Sequence, residues 1–449
     1  MSDLLSIGAS GVRAYQTALS TTSDNIANAG TTGYSRRTTT MKEVGRATSV
    51  ALGQTTLLVG NGVYASGIAR SSDSFRAAEV RRTGSDLART ETGAAWLDRI
   101  EGALTGNRLG DRLTTFFNAA KAVAADPAAG APRSVLLESA ASLAAAFGGT
   151  GRALAGAAED LKGTGRDAAL QLNGLADSLL RVNRGLARAD EGSSGRAQLL
   201  DERDRLLEGM AALTDISVAT DIHGRVEVRA GGPAGPVLAD GDATGIVTFA
   251  INDSGATSFT VHRDGASAVI ASNGGVLAGI ADSATRIAGA RETLDTLARD
   301  FAEDINALQA GGRDLDGAAG APMFTIGDPA SELTLVLDAP RGIAAAAVGE
   351  GTRGNGNLAA LAALRTNGGY EVGLDDLVTT NAAALSAKVS VAEAQGAIHG
   401  TALSARDSVS GVDLDEEAVD LMRFQQAYQA SSRVIQIARE TFDTIFAIR

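Results

Sequence analysis

The residues that could do chemistry are few. Gly349-x-Gly351-x-x-Gly354, with Glu371 downstream, has the spacing that lets a backbone approach a dinucleotide pyrophosphate. That chemistry needs a strand before the glycines and an alternating strand–helix series around them. Residues 344–347 are alanines, poor strand formers, and no such series follows. Glycine is 54 of 449 residues, so the spacing reads as coincidence. Asp314-x-Asp316-Gly317 opens like a calcium loop but lacks the third acidic ligand and the closing glutamate, and reads as a plain turn. No glycine is followed by lysine, and neither a Gly-x-Ser-x-Gly elbow nor a His-Glu-x-x-His pair occurs.

The titratable groups do not converge either. His223 and His262 sit beside strand turns and read as solvated, and His399 beside Gly400 reads as a helix bend. Asp375–Asp376 and Glu416–Glu417 are neighbours in sequence, and adjacent residues on a helix do not face each other. Both pairs read as charge at a helix start. The charged stretch 201–205 reads as a solvated helix face. The absence of cysteine removes disulfides, thiolate metal sites and a cysteine nucleophile. Nothing assembles a nucleophile, a base and an orienting group, so no catalytic residue, cofactor or metal is expected.

Composition narrows the partners. Acidic residues outnumber basic ones 53 to 40, a net charge of -13 that argues against nucleic acid and anionic lipid. Hydrophobic residues at 44% and charged residues at 21% suit a globular chain, and the length suggests two to four units. The longest apolar runs, such as 358–364, stop within two helical turns, so no membrane span is expected. Met1-Ser2-Asp3 lacks a basic region followed by an apolar one, so no cleaved secretion signal is expected.

The elements follow from periodicity. Residues 1–29 read as one helix, with Leu5, Val12, Leu19 and Ile26 seven apart and Gly8, Tyr15, Thr22 and Ala29 three residues after each. Residues 37–70 read as an extended hairpin with a turn at Gly60-Asn61-Gly62, followed by an Asp73 cap. Helix fills 73–213, broken near Pro127 and Pro132. Residues 215–272 alternate as four to five antiparallel strands. Helix returns at 276–310, where Ile280, Ile287, Leu294, Phe301 and Leu308 are seven apart. Residues 311–372 are glycine-rich with a short strand at 333–337, and a helix covers 375–409.

The last helix, 413–448, is capped by Asp413. It repeats Leu414, Leu421, Tyr428, Ile435 and Phe442, with Phe424, Ser431, Ala438 and Ile445 three residues after the last four heptad steps begin. If the middle folds as one body, the two ends pair antiparallel. Alternatively each packs separately into that body, since periodicity names no partner. The expected fold is mainly α with a small β part: an elongated helical bundle, terminal helices paired as an antiparallel coiled coil, and a small antiparallel β subdomain.

The run Asp24-Asn25-Ile26-Ala27-Asn28-Ala29-Gly30-Thr31-Thr32-Gly33-Tyr34-Ser35-Arg36 resembles the N-terminal signature of the bacterial flagellar rod, hook and hook-associated axial proteins. Ser410-Gly411-Val412-Asp413-Leu414-Asp415-Glu416-Glu417 and Arg423-Phe424-Gln425-Gln426-Ala427-Tyr428-Gln429-Ala430 are similar to the hook-associated members of that family, as is Val59-Gly60-Asn61-Gly62-Val63-Tyr64. The similarity is strong over about the first 105 and last 40 residues. It implies a secreted structural protein of the extracellular flagellum, exported by the type III route and joining hook to filament. It also implies partners: other copies of the chain, the hook protein, a second junction protein (hook-associated protein 3) and an export chaperone. Family members often carry a large β-rich outer insertion, and 311–372 leaves little room for one.

The resemblance and the seams together give the expected organisation. Residues 1–36 and 405–449 form an assembly domain, 37–214 and 273–404 a helical body with a β-hairpin, and 215–272 a small β subdomain. The expected assembly residues are Leu5, Val12, Leu19, Asn25, Ile26, Asn28, Gly33 and Tyr34 at one end. At the other they are Leu421, Phe424, Tyr428, Ile435, Phe442 and Ile445. Arg36 and Arg37 either serve solubility, the favoured reading, or contact acidic groups of adjacent subunits. The seams contain small and polar residues, so the free monomer is expected to have mobile ends on a stable body. Competing readings are a hook or rod component, a peptidoglycan-cleaving enzyme fused to an axial scaffold, and a secreted adhesin with a helical stalk.

Overall fold

The computed structural model describes residues 2–44, 46–47, 57–58, 62–252 and 254–447, with the backbone alone at 2–3, 46–47, 57–58 and 445–447. Helix α1 (Ser2–Asn28) is followed by strands β1 (Arg37–Glu43), β2 (Arg46–Ala47), β3 (Leu57–Leu58) and β4 (Val63–Arg70). Then come helices α2 (Ser74–Thr105), α3 (Leu109–Ala125), α4 (Gly130–Leu186) and α5 (Ser194–Leu213). Strands β5 (Ile216–Thr220), β6 (Val226–Ala230), β7 (Val237–Ala239), β8 (Ile246–Ile251), β9 (Thr257–Arg263) and β10 (Ala266–Val269) precede α6 (Gly275–Gly311). Strands β11 (Phe324–Thr325) and β12 (Thr334–Leu335) lead to α7 (Gly356–Gly368), α8 (Tyr370–Ser410) and α9 (Leu414–Ala447).

The fold is mainly helical, with small antiparallel sheets and the terminal helices packed together. β1 pairs with β4 from Arg37 opposite Arg70 to Glu43 opposite Val63, as the hairpin reading requires. The Gly60-Asn61 part of its expected turn lies outside the described residues. Asp73 caps α2 by accepting from the backbone N–H groups of Phe75 and Arg76.

Four expectations need correction. Residues 215–272 hold six strands in two separate three-stranded sheets, β5–β6–β7 and β10–β9–β8, rather than four to five in one unit. The glycine-rich 311–372 contains helix α7, whose short apolar stretch is divided from α8 by Gly369 at φ +61. α8 begins at Tyr370, so Asp375–Asp376 lie inside the helix, and the chain runs through His399 without a break.

The body is built on α4, which packs against α3, α5 and α6 and against strands of both sheets. Two asparagines on α4 hold the sheets. Asn183 exchanges hydrogen bonds with the Val226 backbone and donates to the Asp240 carbonyl, and Asn173 does the same with Val247. An amide side chain carries both a donor and an acceptor, so it can replace a missing strand neighbour. Buried Arg133 donates to the carbonyls of Pro127, Pro340 and Ile343, tying 340–343 to the start of α4.

The sparse aromatic content is concentrated. Phe301 of α6 stands 5.3–6.2 Å, centre to centre, from Phe116, Phe117, Phe147, Phe324 and Tyr370. These rings come from α3, α4, β11 and α8, so one side chain joins five elements. The Tyr370 hydroxyl donates to Asp304 at 2.5 Å; burial first, and then that carboxylate, hold its pKa well above the usual range. Phe301→Ala should therefore lower the unfolding free energy of the body by about 3–5 kcal/mol in urea titrations followed by helical circular dichroism. A loss under about 1 kcal/mol would show that the cluster does not bind the five elements together.

Candidate assembly site

α1 and α9 run antiparallel, with Gly8 and Gly11 against Ser431 and Ile435, Tyr15 beside Phe424, and Asn25 beside Glu417. A Cβ at Gly8 would fall 2.7 Å from Ile435 Cγ1, and one at Gly11 would fall 2.6 Å from Ser431 Oγ. The two glycines therefore set how closely the helices approach.

The buried line of α1 is Gly8, Gly11, Ala14, Ala18, Thr21, Thr22 and Asn25. Gly8 and Thr22 of the seam inferred from periodicity lie on this line, whereas Tyr15 is half-buried and Ala29 is exposed. Leu5, Val12, Leu19 and Ile26 lie further round the helix and are only half-buried, because the small residues admit the partner backbone and displace the large ones to the flank. On α9, Leu421, Phe424, Tyr428, Ile435 and Phe442 are half-buried and Ala438 is buried. The side chain of Ile445 lies outside the described residues. Leu4, Val419, Met422 and Ile437 are exposed.

The signature residues do a different job from the seam. Asn25 is 1% exposed, and its amide is used completely. Its Nδ2 donates to the Arg37 carbonyl at 2.8 Å and to a Glu417 carboxylate oxygen at 3.0 Å. Its Oδ1 accepts from the Arg37 backbone N–H at 3.0 Å and from the Tyr34 hydroxyl at 2.9 Å. Burial pushes the Tyr34 pKa up, against the opposing pull of Arg37, so the hydroxyl stays protonated and donates. Asn28 donates to the Asp24 carbonyl and closes the helix end. Gly33, at φ +79, makes the left-handed turn that swings Tyr34 back onto Asn25.

Around this amide lies a chain of ion pairs. Arg36 donates through Nε to Glu417 at 2.7 Å and lies 3.1 Å from Glu416 and 3.5 Å from Asp420. Burial alone would lower its pKa, but the bond to Glu417 and the charges of Glu417 and Glu416 leave it raised. Its backbone N–H donates to the Ser410 carbonyl. Arg37 reaches Asp201 at 2.7 Å and covers the Tyr34 ring. Arg70 binds Asp201 and Asp204 at 2.6 and 2.7 Å, and Arg406 binds Glu208 and Asp407 at 2.8 Å. Of these side chains, Arg36, Arg70, Asp204, Glu208, Arg406 and Glu416 border an open cleft of about 900 Å³ between the 29–36 loop and the α8–α9 corner.

Two sequence readings are corrected here. Arg36 and Arg37 are not solvated charges serving solubility, since both are engaged in ion pairs within the chain. Of the stretch 201–205, Asp201 and Asp204 turn inward to the arginines. Glu417 lies in the first turn of α9, as the helix-start reading expects, and is in addition buried against Asn25 and Arg36. Asp201, Asp204 and Glu208 recur at three and four residues, which puts them on one helix face and was the signal available in the sequence. Arg36 and Glu417 are 381 residues apart, and no local pattern links them.

Elsewhere, His262 bonds Thr248 and Ser267 on an exposed face, and His399 shares a hydrogen bond with Thr83 at 3.0 Å. Among the described residues no group of three His, Asp or Glu could hold a metal ion, and no helix is long and apolar enough to cross a membrane.

Asn25→Ala should orphan buried donors and acceptors on Arg37, Tyr34 and Glu417, at about 1–3 kcal/mol for each group left unpaired. Hydrogen exchange at 34–37 and 410–417 should then correspond to an opening free energy lower by roughly 2–4 kcal/mol, with α4 and α6 unchanged. Unchanged protection at the corner would contradict this role.

The model of the flagellar hook-associated protein FlgK helical domain matches residues 95–324. Models of the flagella basal body rod protein and of the flagellar basal body rod FlgEFG protein C-terminal region match 5–34 and 404–448. Flagellar hook-associated protein 1 of Salmonella typhimurium is 24% identical over 73% of this chain, and the match spans 60% of that relative's length. The protein of the same name from Escherichia coli is 24% identical across the whole of both chains. The flagellar hook junction protein FlgK from Burkholderia pseudomallei superposes with a TM-score of 0.50 at 20% identity, over 56% of this chain and 47% of that one, which is a likeness of fold. The helical-domain match covers half of the sequence, and this chain belongs to the flagellar hook-associated protein FlgK family.

Proposed function

We propose that this protein is a structural component of the bacterial flagellum that joins the hook to the filament, and that it acts by self-assembly rather than catalysis. One observation carries the reading. Both terminal helices leave the body side by side from a single braced corner, and the large apolar side chains of α1 flank the pair half-uncovered. Covering the exposed halves of Leu5, Val12, Leu19 and Ile26 against further copies would contribute on the order of 1 kcal/mol each. That is too little to hold one monomer's helix pair rigid, but enough to drive ordering when many copies meet.

On this reading residues 1–36 and 405–449 are the assembly domain, with 37–214 and 273–404 as the helical body and 215–272 as the β subdomain. Leu5, Val12, Leu19, Ile26, Leu421, Phe424, Tyr428, Ile435, Phe442 and Ile445 form the contact surface. Asn25, Asn28, Gly33 and Tyr34 hold that surface at its angle to the body. The partners are other copies of the chain, the hook protein, hook-associated protein 3 and an export chaperone. The protein works outside the cell after export. A hook or rod role shares the two end motifs, but the helical-domain match over 95–324 favours the junction.

The reading is tested by electron microscopy of cells lacking the reading frame, with flagellin assayed in the medium. Hooks without filaments, with flagellin shed as monomer, are expected. Loss of hooks would point to a rod or hook part, and intact filaments would refute the junction role. Ile435→Asp should weaken the helix pair by roughly 1–3 kcal/mol by setting an unpaired charge at the half-buried contact with Gly8 and should block incorporation, while the body unfolds as in wild type. Normal incorporation of that variant would remove the seam from the account.

A further inference from the structure

Around the braced corner Arg36, Arg37, Arg70, Arg203 and Arg406 each hold a carboxylate. Arg81 of α2 does not. It is half-buried and has no hydrogen-bond or ion-pair partner among the described residues. The carboxylates whose field it feels, Asp204 and Glu208, are already engaged, the first by Arg70 and Arg203 and the second by Arg406. Burial pulls the Arg81 pKa down in spite of them. A guanidinium partly withdrawn from water without an anion is unfavourable, and a carboxylate set on it gains two parallel charge-assisted hydrogen bonds.

Arg81 borders an open hollow of about 260 Å³ where α2, α5 and α8 meet. The small residues Gly84, Ala88 and Ala212 leave the space, and Val80 and Leu87 give it apolar walls. Glu91, exposed and ten residues beyond Arg81, lies about 15 Å further along α2 and marks the opposite end. His399 lines the hollow from α8. The Thr83 hydroxyl donates its one hydrogen to the Glu79 and Val80 carbonyls, so it accepts from His399 Nδ1. That bond network assigns the imidazole hydrogen to Nδ1 and leaves Nε2 with a lone pair and no partner among the described residues.

We infer that this hollow seats an acidic side chain, glutamate or aspartate, of a partner protein, with its carboxylate on Arg81 and its stem against Val80 and Leu87. Charge complementarity chooses the occupant. A basic side chain at this end would meet Arg81 with both neighbouring carboxylates already engaged. A purely apolar one would bury the guanidinium and leave it unpaired. The site lies apart from the terminal helix pair, and the inference goes beyond the assembly role. Only the expectation that the partner is met in the flagellum rests on that reading.

His399 can report on the hollow. Diethyl pyrocarbonate attacks an unprotonated imidazole nitrogen, and the chain has only two other histidines, so labelling is resolved by peptide mass spectrometry. His223 is exposed and serves as the internal reference. Propionate stands in for the acidic side chain on the purified full-length protein. His399 labelling is expected to fall about fivefold at saturating propionate, with His223 unchanged and with no protection from propionamide, which has the same shape without the charge. Arg81→Gln should remove the propionate effect. So should Ala212→Leu, which fills the hollow from α5 and leaves Arg81 in place. Helical circular dichroism checks that both variants fold, and the propionamide comparison on the wild-type chain decides the matter if one does not. In flagella carrying the wild-type chain, His399 should be protected to a similar extent without propionate. No saturable protection, equal protection by propionamide, or protection that survives Arg81→Gln would overturn the carboxylate site. Protection by propionate in the free chain, with His399 fully labelled in flagella, would overturn the partner and leave a site for a free acid. Wild-type chain missing from the flagellum would overturn the assembly reading and the flagellar partner with it, while the free-chain result still decides the carboxylate site.

Discussion

The amide of Asn25 is the constraint on which the rest of the structure depends. It is buried, and all four of its hydrogen-bonding positions are taken: two by the backbone of Arg37, one by Tyr34 and one by Glu417. No other side chain of its size offers two donors and two acceptors together. It fixes the N-terminal helix, the start of the hairpin and the C-terminal helix to one point. Glu417 then passes the load to Arg36, while Arg37 and Arg70 pass it through Asp201 and Asp204 to α5. The ends of a 449-residue chain thereby leave the body as a single unit.

The same device recurs inside the body. Asn173 and Asn183 hold strand backbone against α4, and Asn306 accepts from the backbone of Met323 and Phe324 while donating to the Phe324 carbonyl. Each stands where a helix meets backbone that lacks a regular neighbour. Cutting one such amide would leave several buried or half-buried groups unpaired at once. The hydrophobic part of the body is simpler, because α6 places Ile280, Ile287, Leu294 and Phe301 in one buried line, and the helix packs on α2, α4, α5, α7 and α8.

How much was legible in the sequence follows from this division. The α6 line was plain because large apolar residues fill it at helical spacing. The hairpin and the Asp73 cap were plain because their signals are local. The α1 seam was legible in part: Gly8 and Thr22 are buried as the spacing requires, but Leu5, Val12, Leu19 and Ile26 lie on the flank, because small residues at 11, 14, 18 and 21 complete the buried line and carry no apolar period. Helix α7 was hidden by the glycines around it. The motif spanning Asn25 to Arg36 was visible as a resemblance, but its physical role was not. That role depends on Glu417, Asp201 and Asp204, which reach it from distant parts of the chain.

The central claim is that a braced corner presents one helix pair whose uncovered flank is filled by further copies of the chain. An electron cryomicroscopy reconstruction of the hook–filament junction containing this protein tests it most directly. The account predicts Asn25 still joined to Glu417, and Leu5, Val12, Leu19 and Ile26 buried against neighbouring copies. A junction in which these side chains face solvent, or in which the two terminal helices separate to pack alone, would contradict it.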